Sequence, residues 1–496
     1  MKVLVANRGE IAVRIMRACR ELGFPSVAVY SEADAQALHS RYAEESIYIG
    51  PTPAAESYLN IDRILEAAKE SKSDAIHPGY GFLSESATFA QAVEDAGLIF
   101  IGPRPETISS TGDKLAARRV AREAGLPILP GPDEPVADEI PEILLEQIKY
   151  PVLIKAVSGG GGRGIRLARR RNELELKVEA ARQEAQATFG DGTVYFEPLV
   201  PQARHIEIQI IGDGYGRILC LGDRECSIQR RRQKIIEESP APSLSPVMRQ
   251  QLYKMAFNLG QALTYRSLGT VEFLLGEDGS CYFIEVNPRI QVEHPITEMV
   301  TGIDLVGTQL RLAEGQPFKY IQEDIKLRGS AIEARVIAED PNNGFMPATG
   351  VISHLKEAGG PGIRTDSALY PGMPITADYD SLIAKVIGWG EDRQTAIRRL
   401  RRALGEFEIG GVSTDIDFLI QIIDSDSFIQ ASANTTYLDT FLPVSSESDE
   451  ELERDMALSA AMVEDQLRSN EVQNPVQAPS TQWQTQAWRD QMRKIS

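Results

Sequence analysis

The chain has 496 residues, with 71 Asp+Glu against 52 Lys+Arg and a formal net charge of −19. Such an acid excess argues against general affinity for nucleic acid or anionic membranes, which need clustered Lys and Arg. The length exceeds what one hydrophobic core serves, so about three domains of ~150 residues are expected. Cys19, Cys220, Cys226 and Cys281 are few, scattered and without CxxC spacing. They exclude a disulfide framework or a structural zinc site and read as reduced thiols of a cytoplasmic protein. The start, MKVLVANRGEIAVRI, has too short an apolar run for a signal peptide. No window approaches the roughly 20 apolar residues of a membrane helix.

In chain order, Val3–Ala6 reads as a buried strand and Ile11–Leu22 as a helix, with Ile11, Ile15, Ala18 and Leu22 at helical spacing. Gly23 and Pro25 end it, and Ser26–Tyr30 is a second strand. Ala75–His77 and Leu98–Ile101 follow as strands, each before a Gly/Pro turn, and the repetition indicates a parallel α/β sheet over residues 1–112. Ala6-Asn7-Arg8-Gly9-Glu10 carries no dinucleotide fingerprint. Residues 113–330 are richer in strand pattern: Val152–Ala156, a glycine loop Ser158–Gly164, Ile165–Leu167, alternating His205–Ile211, then Gly269–Leu275 and Cys281–Val286 about a turn. Residues 331–443 return to a mixed α/β pattern. In the tail, 444–496, Val444–Asp455 is acidic, Leu452–Val472 reads as an amphipathic helix and Asn474–Gln486 as a linker, with Trp483 and Trp488 near the end.

Four constellations carry chemistry. The glycine loop leaves backbone N–H groups free to approach phosphate oxygens, with Lys155 close by as a point charge; a flexible hairpin tip is the other reading. Glu272 and Glu285 sit inside apolar runs and, with Asn287, suit a hard cation; alternation toward solvent is the competing reading. Arg289 and Glu293, just beyond, offer a fixed cation and a general base, or a structural ion pair. Gln229–Lys234 packs four cations into six residues between Asp223, Glu225, Glu237 and Glu238, which fits a solvated, neutralised loop or a local anion site.

Nine blocks in order resemble the biotin carboxylase family of ATP-grasp enzymes. They are Ala6–Ala12, His77–Glu85, Gly102-Pro103, Gly112–Lys114, the glycine loop, Arg204–Glu207, Glu225–Lys234, Glu285–Glu298 and Tyr379–Lys385. The resemblance covers residues 1 to about 443. It implies an α/β architecture: an N-terminal Rossmann-like parallel-sheet domain (1–112), a central ATP-grasp domain (113–330) with a mobile lid at about 131–203, and a C-terminal mixed α/β domain (331–443).

The activity implied is carboxylation of biotin on a separate carrier protein, from ATP and bicarbonate by way of carboxyphosphate. Lys114 and Lys155 would hold ATP phosphates under Gly161, Gly162 and Arg163. Glu197, Leu199, Val200 and Leu274 would line the adenine pocket, and His205 and Gln229 would meet the ribose or phosphates. Glu272, Glu285 and Asn287 look like ligands for two Mg²⁺ or Mn²⁺ ions. Lys234, Arg289, Gln291 and Val292 would bind bicarbonate and Glu293 would deprotonate it. Arg289 and Arg364 would stabilise the biotin enolate, and Tyr80 would touch the ureido ring.

Departures are Arg232, where the family often has His, Pro198, where a Lys is common, and Thr436, where some members place His. No biotinyl-lysine motif is present, so a carrier protein and carboxyltransferase subunits are expected as partners. A homodimer is implied too, with Arg14 and Arg17 near its interface, and the tail is expected to dock a partner. Another ATP-grasp ligase and a non-catalytic relative are the competing classes. The acceptor, whether acetyl-CoA, propionyl-CoA or pyruvate, is chosen elsewhere.

Overall fold

The structure is a computed structural model and describes residues 1–131, 134–136, 148–157 and 165–441, without the side chain of Phe189, together with 458, 459 and 462. Residues 1–442 form one compact unit and 443–496 another. The glycine loop lies outside the described residues, as does the tail except Leu458, Ser459 and Met462, which are helical and fall within the expected helix. No helix among the described residues is long and apolar enough to cross a membrane.

The N-terminal sheet is parallel, in the order β3-β2-β1-β4-β5: β1 is Val3–Val5, β2 Ser26–Ser31, β3 Glu45–Gly50, β4 Ala75–His77 and β5 Ile99–Phe100. Period-two alternation sends Val3 and Val5 into one core with Ile11 and Ile15, and Leu4 into another with Ile64, Ile76 and Phe89. Both faces are therefore covered, and that is why β1 reads as an unbroken apolar run. The first helix, Gly9–Glu21, ends where expected: Gly23 takes φ 73° and its N–H bonds the Arg20 carbonyl, a left-handed closure that glycine meets without strain.

A small antiparallel sheet holds β6 (Val152–Ala156) between β7 (Ile165–Ala168) and β8 (Val194–Pro198). The strands flanking the glycine loop thus pair as the hairpin expected of them. The main sheet has eight antiparallel strands. They run β13 (Cys281–Asn287), β12 (Arg266–Leu275), β9 (Arg204–Asp213), β10 (Ile218–Arg230), β11 (Gln233–Ser239) and β14 (Ser330–Ile337), then the strands Leu382–Gly390 and Ile363–Ser367. β11 pairs with β14 from Ile236↔Ala334 to Ser239↔Ala331, so the sheet runs unbroken across position 330.

One face of this sheet is apolar: Ile206, Ile208, Ile210, Val271 and Phe273 pack on Leu252, Ala256 and Leu259 of the helix Pro246–Ala262. The other face carries His205, Glu207, Gln209, Thr270 and Glu272. It does not meet solvent, as simple alternation would have it; Glu272 is 4 % exposed and Glu207 is fully buried. The segment Gln291–Glu293 and the helix His294–Thr301 lie over it, and Ile296 and Val300 of that helix pack on Ala331 and Ile387. A polar layer thus sits between two apolar ones, and its charges persist there only by pairing.

Candidate active site

The layer is organised around two cations. Lys234 Nζ binds Glu293 Oε1 at 2.8 Å, Glu272 Oε1 at 3.0 Å and, more closely, Glu207. Arg335 Nη2 lies 2.9 Å from Glu293 Oε2, and the same guanidinium binds Glu237 at 2.6 Å. Glu293 is held from both sides. Burial alone would raise its pKa, but Lys234, Arg335 and Arg224 carry it well below the ordinary carboxylate value. Burial opposes charge on Lys234, yet Glu207, Glu272 and Glu293 together hold its pKa well above that of a free lysine.

Arg224, wholly buried on β10, ties the layer together. It bonds Glu207 (3.1 Å), Gln209 (2.7 Å), Thr270 (3.1 Å), Thr297 (3.0 Å) and Gln291 (3.1 Å). Gln291 in turn donates to Glu272 at 3.1 Å, so the loop after β13 is pinned to the sheet below it. Sequence reading missed Arg224 and Arg335 and took Glu237 only as an acid flanking the cation run. The signal was present in Ile332-Glu333-Ala334-Arg335-Val336, where charges occupy inward positions of an apolar strand.

Lys234 owes its direction to the preceding turn. Gln229↔Lys234 and Arg230↔Gln233 pair across a two-residue hairpin in which Arg231 and Arg232 both take positive φ, 50° and 66°. Arg230 anchors the hairpin by an ion pair with Glu339 and by stacking 4.0 Å above the Phe345 ring. The flanking acids do not neutralise this run. Asp223 binds Arg249, Glu225 binds Arg204, Glu237 binds Arg335 and Glu238 binds Arg393. Lys234 therefore points inward as one of the layer's two central cations, and a fully solvated loop is not what forms.

Glu272 and Glu285 are direct cross-strand partners on β12 and β13, with Thr270 opposite Asn287. Burial and the Glu272 carboxylate raise the Glu285 pKa, while Lys114 Nζ stands 3.9 Å from it. Two carboxylates facing each other with partial compensation fit a divalent cation with oxygen ligands. Asn287 supplies the third group: its Nδ2 donates to Glu272 at 2.7 Å and its Oδ1 accepts from Arg289 at 3.1 Å. Arg289 also pairs with Glu85 at 2.7 Å, across from the N-terminal region. His205 Nε2 lies 2.9 Å from Glu272 Oε2, and His205, Glu207 and Glu272 bring their ligand atoms within 4.8 Å of one another.

Lys155 binds Glu197, whose carboxylate also takes Arg118 (3.0 Å) and Tyr195 (3.1 Å). Glu197 is thus a buried counter-ion in the β6–β8 sheet, and its carboxylate is spoken for. Leu199 and Val200 follow at the end of β8, half-buried, and Leu274 lies opposite His205 across β12 and β9. Gln229 hydrogen-bonds His205 Nδ1 at 2.8 Å. Gly161, Gly162 and Arg163 fall outside the described residues.

Arg364, expected at the enolate, has partners of its own. Its guanidinium is bound by Asp366 and by Glu298, each at 2.7 Å, and Glu298 also takes Arg14 at 2.9 Å. The arginine that meets Glu293 is Arg335. Tyr80 turns its hydroxyl onto Glu10, and the Val292 carbonyl accepts from Lys385 at 2.9 Å.

Comparison with known proteins gives the family. Family models match along the chain: "Biotin carboxylase, N-terminal domain" over residues 1–108, "Carbamoyl-phosphate synthase L chain, ATP binding domain" over 113–321 and "Biotin carboxylase C-terminal domain" over 333–440. Biotin carboxylase 1 of Bacillus subtilis is 48 % identical over 443 residues, 89 % of this chain and 98 % of that one. A pyruvate carboxylase subunit of Methanothermobacter thermautotrophicus is 47 % identical over 441 residues, covering 89 % and 90 %. Among solved structures, the biotin carboxylase domain dimer of Hydrogenobacter thermophilus 2-oxoglutarate carboxylase, with MgADP, ADP and bicarbonate, superposes with a TM-score of 0.86 at 45 % identity, covering 88 % of this chain and 97 % of that one.

Proposed function

The chain belongs to the biotin carboxylase family of ATP-dependent ligases, which carboxylate biotin, and on that premise we propose that it works on biotin carried by a separate protein, as the first half-reaction of a multisubunit acetyl-CoA or propionyl-CoA carboxylase. The observation that carries the mechanism is Glu293 clamped between Lys234 and Arg335, with Lys234 shared by Glu272.

Bicarbonate would enter beside Lys234 and Arg289, with Gln291 and Val292 shaping its seat. Glu293, ionised in the resting protein, would take its proton. The cations that keep Glu293 charged would at that moment neutralise the second negative charge growing on bicarbonate, which offsets the weak basicity they impose. The freed oxyanion attacks the γ-phosphate of ATP, positioned by Lys114 and Lys155, to form carboxyphosphate and ADP. Two Mg²⁺ ions held by Glu272, Glu285 and Asn287 would supply charge neutralisation on the phosphates. Carboxyphosphate then gives CO₂ and phosphate. The phosphate takes the N1′ proton of biotin, and N1′ bonds to CO₂. Arg289 and Arg335, the latter in the role expected of Arg364, would hold the biotin enolate oxygen.

ATP hydrolysis with bicarbonate and Mg²⁺, measured with and without free biotin, tests this reading. Biotin stimulation and carboxybiotin formation are expected; their absence would overturn it. A two-subunit pyruvate carboxylase is the second reading, supported by the nearly equal identity to the pyruvate carboxylase relative. The carboxyltransferase that co-purifies decides between them. Trp483 and Trp488 in a polar tail suit partner docking, since Trp is enriched at interfaces. Deleting 444–496 without loss of complex formation would sink that role.

A further inference from the structure

Lys385 lies fully buried on the strand Leu382–Gly390, far in sequence from the groups that act on substrate. Its ammonium donates to the Val292 carbonyl at 2.9 Å and binds Glu10 Oε1 at 3.0 Å, with Asp366 Oδ2 at 3.9 Å. Glu10, in the first turn of the helix Gly9–Glu21, accepts the Tyr80 hydroxyl on that same Oε1. Glu333, in β14, is fully buried too, with neither carboxylate oxygen hydrogen-bonded among the described residues, and burial holds its pKa well above the ordinary carboxylate value. One ammonium therefore joins three distant pieces of chain: the N-terminal helix, the His77–Gly81 turn and the loop that carries Glu293.

Stability does not explain such a lysine. A buried ion pair is often matched or bettered by apolar side chains of similar volume, and Met or Leu would fill this space. What an ammonium adds is direction. The Val292 carbonyl belongs to the peptide unit that leads into Glu293, so fixing it fixes where the Glu293 side chain starts. Glu10 relays the same constraint to Tyr80.

We propose that Lys385 is a positioning residue for carboxylation, locking the bicarbonate loop at Val292–Glu293 and the biotin-facing Tyr80 to one another through a single buried ammonium. This rests on the roles of Glu293 and Tyr80 given above. Loosening it would let the proton acceptor and the biotin wall drift independently, and displacements of about 1 Å cost on the order of 100-fold in rate.

The full chain carrying Lys385→Met tests this, beside the double variant Lys385→Met/Glu10→Leu, which removes both charges and strands neither. KM for bicarbonate is expected to rise about 10- to 100-fold, with KM for ATP within about 2-fold of the parent. ATP hydrolysed per carboxybiotin formed should rise several-fold, because the two loops no longer move as one. A double variant that melts like the parent and keeps its bicarbonate KM and its coupling ratio would overturn the proposal. So would a uniform fall in every parameter, ATP KM included, which marks a merely structural role. Absence of bicarbonate-dependent ATP turnover in the unaltered protein would instead overturn the functional reading beneath it.

Discussion

Arg335 Nη2 lies 2.9 Å from Glu293 Oε2, on the oxygen that Lys234 does not bind. The two arginines considered for the enolate can therefore be separated by experiment. Arg335→Lys keeps the charge but loses the planar fork that spans Glu237 and Glu293, and biotin-dependent turnover should fall about 100-fold. Arg364→Lys, whose partners are Asp366 and Glu298, should fall less than about 5-fold. Carboxybiotin formation by both variants, with thermal melts to show that each is folded, makes the comparison. Equal losses would return Arg364 to the site.

Glu293→Gln removes the proton acceptor and keeps the shape. Bicarbonate-dependent ATP hydrolysis should drop by about 10²- to 10⁴-fold. Affinity for ADP should stay near that of the parent, because Lys114 and Lys155 are untouched; calorimetry with MgADP checks this. Loss of nucleotide affinity would mean that Glu293 is holding the site together.

Glu285→Gln separates function from stability. It relieves the cross-strand repulsion with Glu272, so the metal-free protein should gain about 0.5–1 kcal/mol. The Mg²⁺ concentration for half-maximal activity should rise about 10-fold or more. Denaturation in EDTA and a Mg²⁺ titration of turnover give the two numbers. A destabilised variant with an unchanged Mg²⁺ requirement would remove Glu285 from the metal ligands.

Acid should destabilise the N-terminal region through two buried histidines. Burial pulls the His39 pKa down to about 4 and the His77 pKa down to about 3. Both titrate near 6.5 when unfolded, so the unfolded chain binds more protons between those values and stability falls as pH falls. Each histidine contributes a slope of about 1.4 kcal/mol per pH unit below pH 6.5. Denaturant unfolding at pH 7.5 and pH 5, with His39→Leu as comparison, tests it. The variant should lose part of the pH dependence.

What could be read from sequence followed locality. β4, β6 and the helix after Gly9 have boundaries set by neighbours in the chain, and their expected and observed limits agree within two residues. Glu272, Glu285, Arg289 and Glu293 lie within a short stretch around one hairpin, so their convergence was visible as well. Arg335 and Lys385 arrive from strands far along the chain, and only the register of β11, β14 and Leu382–Gly390 sets them beside Glu293 and Val292. Arg364 shows the same limit in reverse. An arginine in the expected region carried the right charge, but its strand directs it to Asp366 and Glu298. The burial of Glu207 and Glu272 could not be read from alternation either, because alternation distinguishes two faces and does not say what covers each.

The main sheet crosses position 330 through the ladder of β11 to β14, and this decides how the gene can be divided. A product stopped there would keep the ATP-grasp sequence whole, yet β11 would become a bare edge with unpaired backbone groups open to other chains. Glu237 would lose Arg335 at the same stroke. Such a fragment should collect as aggregate, whereas a cut near 442 leaves every strand of the sheet its neighbour. Genetic fusions, splits and domain exchanges in this chain should therefore be tolerated near position 442 and not at the junction that domain boundaries in the sequence suggest.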